Sequence, residues 1–453
     1  MPLLIVALSV ALLLFMMMRL KLNGFIALTV VSVLVALWAV ATGVLTYEGS
    51  PAGLAEIPEI IGDGIGDQLS ETLTVIGFGA MIGRVMGDAG AAQQIATSIT
   101  KVFGTRGVQW AMVAASMLLG ITMFYESAFV IIVPVAFTLV RATKTNLLWV
   151  GLPMSISLST MHSFLPPHPG PTAVAGLYDA SVGQTLAYGL IIAIPIGAAI
   201  AMVWPRLPFV RRLDPQIPKG LVNEETVPDE LLPSRALSFS VTVLPIVLIA
   251  GAEAVLMTNP SNGVLVSTLK FVGATPIALL ITLLVAIFAF GPGLGRPLSE
   301  VADSMSGAAK AMAMILMVIA AGGAFKEVLT SAGVADYIAD ITQSWHMNPI
   351  VLAWVIAAIL RIALGSATVA VATAGGIAAP LIAATGASPE LMVLATACGS
   401  IAFSHVNDPG FWMFKEYFNL KVGEALKVRT TYTTTLAVLG LIGVLILSLF
   451  FTA

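Results

Sequence analysis

Apolar runs recur along this chain, each near the roughly 20 residues that a membrane-spanning helix requires, and no other feature of the sequence restricts its fold as severely. They fall at about residues 2–18, 24–44, 69–86, 107–123, 126–140, 146–161 and 184–204. They return at about 237–257, 274–291, 308–325, 348–364, 367–386, 389–404 and 432–451. Only 10% of the 453 residues are charged and 58% are hydrophobic, whereas a soluble domain carries about 25% charge. The pattern is that of an all-α polytopic protein embedded in membrane lipid. No basic cluster stands out and the net charge is −3, so nucleic-acid binding has no support. Cys398 is the single cysteine, which excludes an internal disulfide. Arg19 and Lys21 follow the first apolar run. A secretory signal has its charge ahead of its core, so this run reads as a retained span.

One long polar stretch, residues 205–236, divides the runs into two equal sets. It carries Arg206, Arg211, Arg212, Asp214, Lys219, Glu224, Glu225, Asp229 and Glu230. The sequence on either side matches in order and at a nearly constant offset. GLAEIPE at 53–59 lies over PLSEVAD at 297–303, GAM at 79–81 over GAF at 323–325, and AGAAQQIA at 89–96 over AGVADYIA at 332–339. Trp110 pairs with Trp354, Gly120 with Gly365, and His168-Pro169-Gly170 with Asp408-Pro409-Gly410. The expected organisation is a repeat over 1–204, a cytoplasmic linker over 205–236, and a second repeat over 237–453.

Basic residues gather on the cytoplasmic side of short loops. Arg19 and Lys21 mark the first loop as inside, and the acidic loop 45–68 as outside. Arg84, Lys101 and Arg106 mark the inside again, as do both ends of the linker and the cluster Lys415, Lys421, Lys427 and Arg429. The two repeats are therefore expected to be inverted, with both termini periplasmic and about five spans in each. The segments 107–141 and 348–386 each read as two short helices meeting at a small or polar tip, at 120–127 and 365–368. A helix of about 16 residues rises only about 24 Å, less than the roughly 30 Å apolar core. Re-entrant hairpins suit them; two full spans joined by a tight turn is the alternative. In residues 91–103, Ile95, Ile99, Val102 and Phe103 share one face, as expected of a helix lying flat at the interface.

The stretch SFLPPHPGPTA at 163–173 interrupts an apolar run with Pro166, Pro167, Pro169 and Pro171. Proline lacks the backbone donor and bars the helical conformation from its predecessor. The helix must break there, and Thr172 could begin its second half. The corresponding stretch of the other repeat, SHVNDPGFWMF at 404–414, is broken by Asn407, Asp408, Pro409 and Gly410. Irregular backbone at membrane depth is tolerated only against protein or water. Paired breaks of this kind point to the binding site of a secondary transporter. Ionisable residues are costly within apolar runs, and here they cluster at the tips and breaks. They are Glu126, Arg361, His162, His168, His405 and Asp408, with the hydroxyls of Ser127, Ser366 and Thr368 nearby. An arginine fork matches a carboxylate, and acids and imidazoles suit proton exchange. Other roles stay open: Arg361 as a structural partner of Glu126 or Asp408, Asp408 as the cap of a helix beginning near Phe411, and the histidines as packed polar groups. His162, His168 and His405 lack metal-binding spacing.

FLPPHPGPTA at 164–173, FSHVNDPGFW at 403–412, LRIALGSATVA at 360–370 and FYE at 124–126 closely resemble the gluconate permease family of bacterial inner-membrane symporters, over the whole chain. The resemblance implies proton-coupled uptake of gluconate or a related small organic anion, no cofactor beyond the coupling proton, and no enzymatic activity. It also implies a fold that pairs a scaffold with hairpins and broken helices and moves by an elevator-like shift. On that footing Arg361, Ser366 and Thr368 would hold the carboxylate, and Asn407 with the backbone at Pro169 and Gly170 would meet hydroxyls. Glu126, His168 or Asp408 would carry the proton, with His162 and His405 as further candidates. Similar family members carry other sugar acids, glycerate or D-serine. Ser127 and Met161-His162-Ser163 depart from the usual pattern, where valine and Thr-His-Gly are expected, and this leaves substrate choice open. Oligomeric state is open too, a homo-oligomer included. The alternatives are a sodium-coupled di- or tricarboxylate carrier, a passive channel, and an intramembrane hydrolase, for which no nucleophile constellation is found.

Overall fold

The computed structural model describes residues 2–122, 124–166, 168–218, 227–256, 258, 262–342, 345 and 347–450. Pro167 of the first break and Lys219, Glu224 and Glu225 of the linker lie outside the described residues, as do the side chains of Arg106 and Asp229. Helices α1 (Pro2–Leu14), α2 (Gly24–Ala41), α3 (Ile57–Asp88), α4 (Ala91–Thr122), α5 (Tyr125–Thr143), α6 (Leu147–Phe164), α7 (Pro169–Leu177) and α8 (Val182–Val203) make the first half. Between α2 and α3 lies a two-stranded ribbon, Thr46–Tyr47 with Ser50–Pro51. A short α9 (Pro208–Arg211) follows in the linker. The second half comprises α10 (Arg235–Leu256), α11 (Gly263–Gly273), α12 (Thr275–Phe290), α13 (Leu298–Ser331), α14 (Val334–Thr342), α15 (Pro349–Leu364), α16 (Ala367–Thr385), α17 (Pro389–Gly399), α18 (Pro409–Tyr417), α19 (Val422–Ala425) and α20 (Thr431–Ser448).

The helix starts follow from local chemistry. Asparagine or serine side chains accept a backbone N–H at the entrances of α2 (Asn23), α6 (Asn146), α8 (Ser181), α15 (Asn348), α16 (Ser366) and α17 (Ser388). These satisfy donors that a membrane helix cannot leave bare. Proline supplies the first turn of α7 and of α18, where its missing N–H costs nothing. The second half of the first broken helix therefore begins at Pro169, ahead of the expected Thr172. Its counterpart begins at Pro409, ahead of Phe411.

The order of elements recurs: a long helix, an arm and hairpin, a helix, a nine-residue half-helix after the break, then a closing helix. So do the neighbours. α4 packs on α5 and α6 as α15 packs on α16 and α17, and α8 lies on α6 as α20 lies on α17. Two long helices, α3 and α13, pack against each other, with α2 against α13 and α12 against α3. Their crossing is backbone to backbone. A Cβ on Gly323 would sit 2.2 Å from the carbonyl oxygen of Gly64, and one on Gly64 would sit 2.7 Å from that of Gly323.

Eight helical segments among the described residues are long and apolar enough to cross a membrane, and six apolar helices are shorter. In the hairpins, α5 reaches spanning length, while Gly107–Ile121, Pro349–Leu364 and Ala367–Ala379 fall among the shorter ones. The segment 91–103 joins the first hairpin arm across Gly104, whose φ of 64° is non-helical. Ile95 is buried, whereas Val102 and Phe103 are exposed. The linker is held at both ends. The Asn146 amide donates to the Leu213 carbonyl, and Gln93 exchanges two hydrogen bonds with the backbone of Val227.

The structure overturns the expectation that Arg429 marks a cytoplasmic loop with Lys415, Lys421 and Lys427: it is only 4% exposed and faces Asp408. It is a core residue and says nothing about which side its loop faces.

Gly323→Ala should cost about 1–3 kcal/mol by overpacking the α3–α13 crossing, and so lower the thermal midpoint of the detergent-solubilised protein. An unchanged midpoint would contradict the close approach.

Candidate functional site

A cavity of about 570 Å³ opens where both hairpin tips and both helix breaks meet. Its wall includes Phe124–Ser127 at the start of α5, Pro169 at the start of α7, Ser366–Val369 at the start of α16, and Asp408 and Pro409 at the start of α18. Four helix N-termini thus line one space. A helix N-terminus carries about half a positive charge, which favours an anion; at α18 the Asp408 carboxylate already caps it. Gly365 makes one of these ends possible. It terminates α15 at φ 76°, and a Cβ there would meet the carbonyl oxygen of Asn407 at 2.1 Å. The chain can therefore turn from Arg361 to Ser366 within one residue of the second break.

Arg361 lies in the last turn of α15 and is 3% exposed. Its Nη2 is hydrogen-bonded to Asp408 Oδ2, and its Nε and Nη1 are buried without a protein partner. Asp408 is more than a cap. Oδ1 accepts the N–H of Gly410 (2.8 Å), and Oδ2 also accepts from Ser404, with Arg429 Nη2 at 3.6 Å. Lys326 and Glu126 complete the charged lining. Three cations face two carboxylates, so the wall carries a net positive charge when both acids are ionised. Hydroxyl and amide groups of Gln68, Thr72, Ser127, Ser159, Ser163, Thr368 and Thr433 share the wall.

Of the residues singled out in the sequence, Arg361, Ser366, Thr368, Ser127, Pro169, Glu126, Asp408 and His162 line this cavity. Four others do not. Asn407 is turned away: its amide donates to the carbonyls of Ile362 and Ala363 (2.8 and 3.2 Å), covering the bare end of α15. His405 is bonded to the same Ile362 carbonyl at 3.0 Å. Gly170 packs against Val371, where a Cβ would come within 2.5 Å. These three are supports of the site rather than part of its wall. His168 is bonded to the carbonyl of Gly120 (2.6 Å) and lines a neighbouring cavity of about 340 Å³, which shares Phe124, Pro169 and Thr275 with the first. The rings of His162 and His168 lie 4.7 Å apart, and Phe124 packs on both. No group of three His, Cys, Asp or Glu that could hold a metal occurs among the described residues.

Sequence reasoning missed Arg429, Lys326, Tyr125 and Ser404. Lys326 lies two residues after the small-residue run 320–324, and Arg429 precedes Thr430, Thr431, Tyr432, Thr433, Thr434 and Thr435. Such a polar run entering an apolar helix was a signal that this helix faces a wet interior.

A family profile described as GntP family permease matches residues 1–450. A high-affinity gluconate transporter of Escherichia coli K12 is 45% identical, the alignment covering 99% of this chain and all of that protein. The Gnt-II system L-idonate transporter of the same strain is 43% identical over 98% of each. A gluconate permease of Bacillus subtilis 168 is 41% identical over 99% of this chain and all of its own length. The solved structure of the Alcanivorax borkumensis YdaH transporter aligns at 14% identity with a TM-score of 0.46, over 94% of this chain and 98% of that one.

The lone Cys398 is 1% exposed, so the natural chain should resist a charged methanethiosulfonate reagent. Thr368→Cys should label readily, and Ala374→Cys, at a fully buried position on the same helix, should not. Equal labelling of the two would contradict a wet cavity at the α16 entrance.

Proposed function

This chain belongs to the GntP family of permeases, and from that premise we propose that it is a proton-coupled importer of gluconate or a closely related sugar acid. The multi-pass protein would sit in a bacterial inner membrane, with inverted halves and both termini periplasmic. The observation that carries the reading is the unfilled guanidinium of Arg361 among four helix N-termini. A buried donor without a partner is costly, and a carboxylate is the acceptor whose geometry fits a guanidinium fork. The relatives named for gluconate and L-idonate support an aldonate as the anion. A polyhydroxy chain also suits the hydroxyl-rich wall. The cavity is within the roughly 300–1,000 Å³ usual for small-molecule sites.

In this mechanism the carboxylate binds Arg361, aided by Ser366, Thr368 and the α16 N-terminus. Ser127, Ser159 and Thr433 meet the hydroxyls. Glu126, in the first turn of α5, takes the coupling proton. Its protonation removes one negative charge from the wall and so strengthens anion binding. One anion arriving with one proton leaves the net charge of the cavity unchanged, which lowers the cost of carrying it through a low-dielectric core. His168 and His162, whose rings lie 4.7 Å apart, would pass protons between the two cavities. Asp408, tied to two guanidiniums and a hydroxyl, serves as a fixed counter-charge rather than the proton carrier.

Membrane vesicles should accumulate labelled gluconate under an imposed pH gradient without sodium. A sodium requirement, or no uptake of any sugar acid, would refute the proposal. Arg361→Lys keeps the charge and loses the fork, so KM should rise roughly ten- to a hundredfold. Glu126→Gln should abolish pH-driven accumulation while gluconate exchange across the membrane persists; retained accumulation would remove Glu126 from the coupling step.

A further inference from the structure

Arg429 does not contribute to the carboxylate clamp as described so far, yet it is the most completely held cation in the molecule's centre. Its Nε donates to Ser404 Oγ (2.8 Å), and its Nη1 donates to the hydroxyls of Tyr125 (2.7 Å) and Tyr432 (2.8 Å). Ser155 links the two tyrosines at 2.9 and 3.0 Å. The guanidinium also lies over the Tyr125 ring, 4.7 Å from its centroid. This closed network joins the first hairpin tip to the base of α20 and leaves Nη2 as the only guanidinium nitrogen without a close partner. Nη2 faces Asp408 Oδ2 at 3.6 Å, just beyond a charge-assisted hydrogen bond of about 2.7–2.9 Å.

The same oxygen is held by Arg361 Nη2. That nitrogen matters because a guanidinium offers its two-pronged edges as Nε with Nη2, or Nη1 with Nη2. Both edges include the nitrogen that Asp408 occupies. Nη2 carries two N–H groups, one on each edge, so a substrate carboxylate can take the edge that Asp408 leaves open; the two carboxylates then flank one nitrogen and repel. That repulsion favours moving Asp408 off Arg361, provided that it does not become an unpaired buried charge, which is strongly unfavourable.

We propose that Arg429 is a reserve counter-ion: it takes over Asp408 as the carboxylate of the transported anion takes the fork of Arg361. The exchange needs Asp408 Oδ2 to close a gap of less than about 1 Å. Ser404 eases it, since its hydroxyl donates to Asp408 and accepts from Arg429 at once. Gly410 keeps the passage open, because a Cβ there would lie 2.6 Å from Arg429 Nη2. Arg429 is thus a positioning residue that acts through Asp408, and the occupant of the fork is a carboxylate monoanion. The proposal rests on the carboxylate clamp assigned to Arg361.

The test is a double-mutant cycle on gluconate transport in vesicles, with KM and kcat measured separately and transporter abundance checked by immunoblot. Arg429→Gln should raise KM at least tenfold, because Asp408 then stays locked on Arg361. Adding Asp408→Asn, which still caps α18, should return KM to within about threefold of the natural protein. Arg429→Gln with unchanged KM, or equal impairment of the single and double variants, would overturn the proposal. If Arg429→Gln fails to accumulate, Gly410→Ala decides the matter: its Cβ pushes Nη2 away from Asp408 while keeping the positive charge of Arg429, and an unchanged KM there overturns the proposal. Arg361→Lys run in parallel separates the two readings. An unchanged KM for it removes the clamp, whereas a raised KM without suppression in the cycle removes only the role of Arg429.

Discussion

Everything in the centre of this protein turns on keeping a buried carboxylate and two buried guanidiniums compensated. Asp408, Arg361 and Arg429 are each less than 10% exposed, and an unpaired charge so placed would cost several kcal/mol. The three come from different parts of the second half: the last turn of α15, the break before α18, and the segment before α20. Tyr125, from the first half, bonds directly to one of them. The pairing therefore ties the hairpin tips and the helix breaks to one point, and the cavity is what remains between them.

The backbone serves the same end. Prolines and glycines stop helices short, and each stop exposes an N-terminus whose positive end is directed inward. Gly365 permits the approach of α15 to the second break, while Asn407 and His405 cover the carbonyls that α15 leaves bare. In the proposed mechanism a site for a hydroxylated anion is thus assembled largely from backbone, with Arg361 as its anchor. The broad reading, a permease for a sugar acid, is the reading that its relatives carry.

Much of this was legible in the sequence. Hydropathy located the helices, because the membrane forces every buried backbone group to be paired within its own segment. Matching breaks at His168-Pro169-Gly170 and Asp408-Pro409-Gly410 marked where the two halves are interrupted, and the charges stranded nearby marked the wall. Orientation of individual side chains was not legible. Asn407 and Asp408 are adjacent, yet one turns to a bare helix end and the other to the cavity. That choice depends on the φ of Gly365 and on where α15 ends, which are tertiary facts. Arg429 was misread for a related reason. A basic residue near other basic residues resembles a loop marker until its partners Asp408 and Tyr125 are seen to come from elsewhere in the fold.

The most direct measurement is a structure of the protein with gluconate bound. The ligand's carboxylate should lie on two nitrogens of the Arg361 guanidinium, Nη2 among them, beside Ser366, with the hydroxylated tail along Ser127 and Ser159. Gluconate seated with its carboxylate away from Arg361, whether on Lys326 or in the neighbouring cavity, would contradict the account at its root.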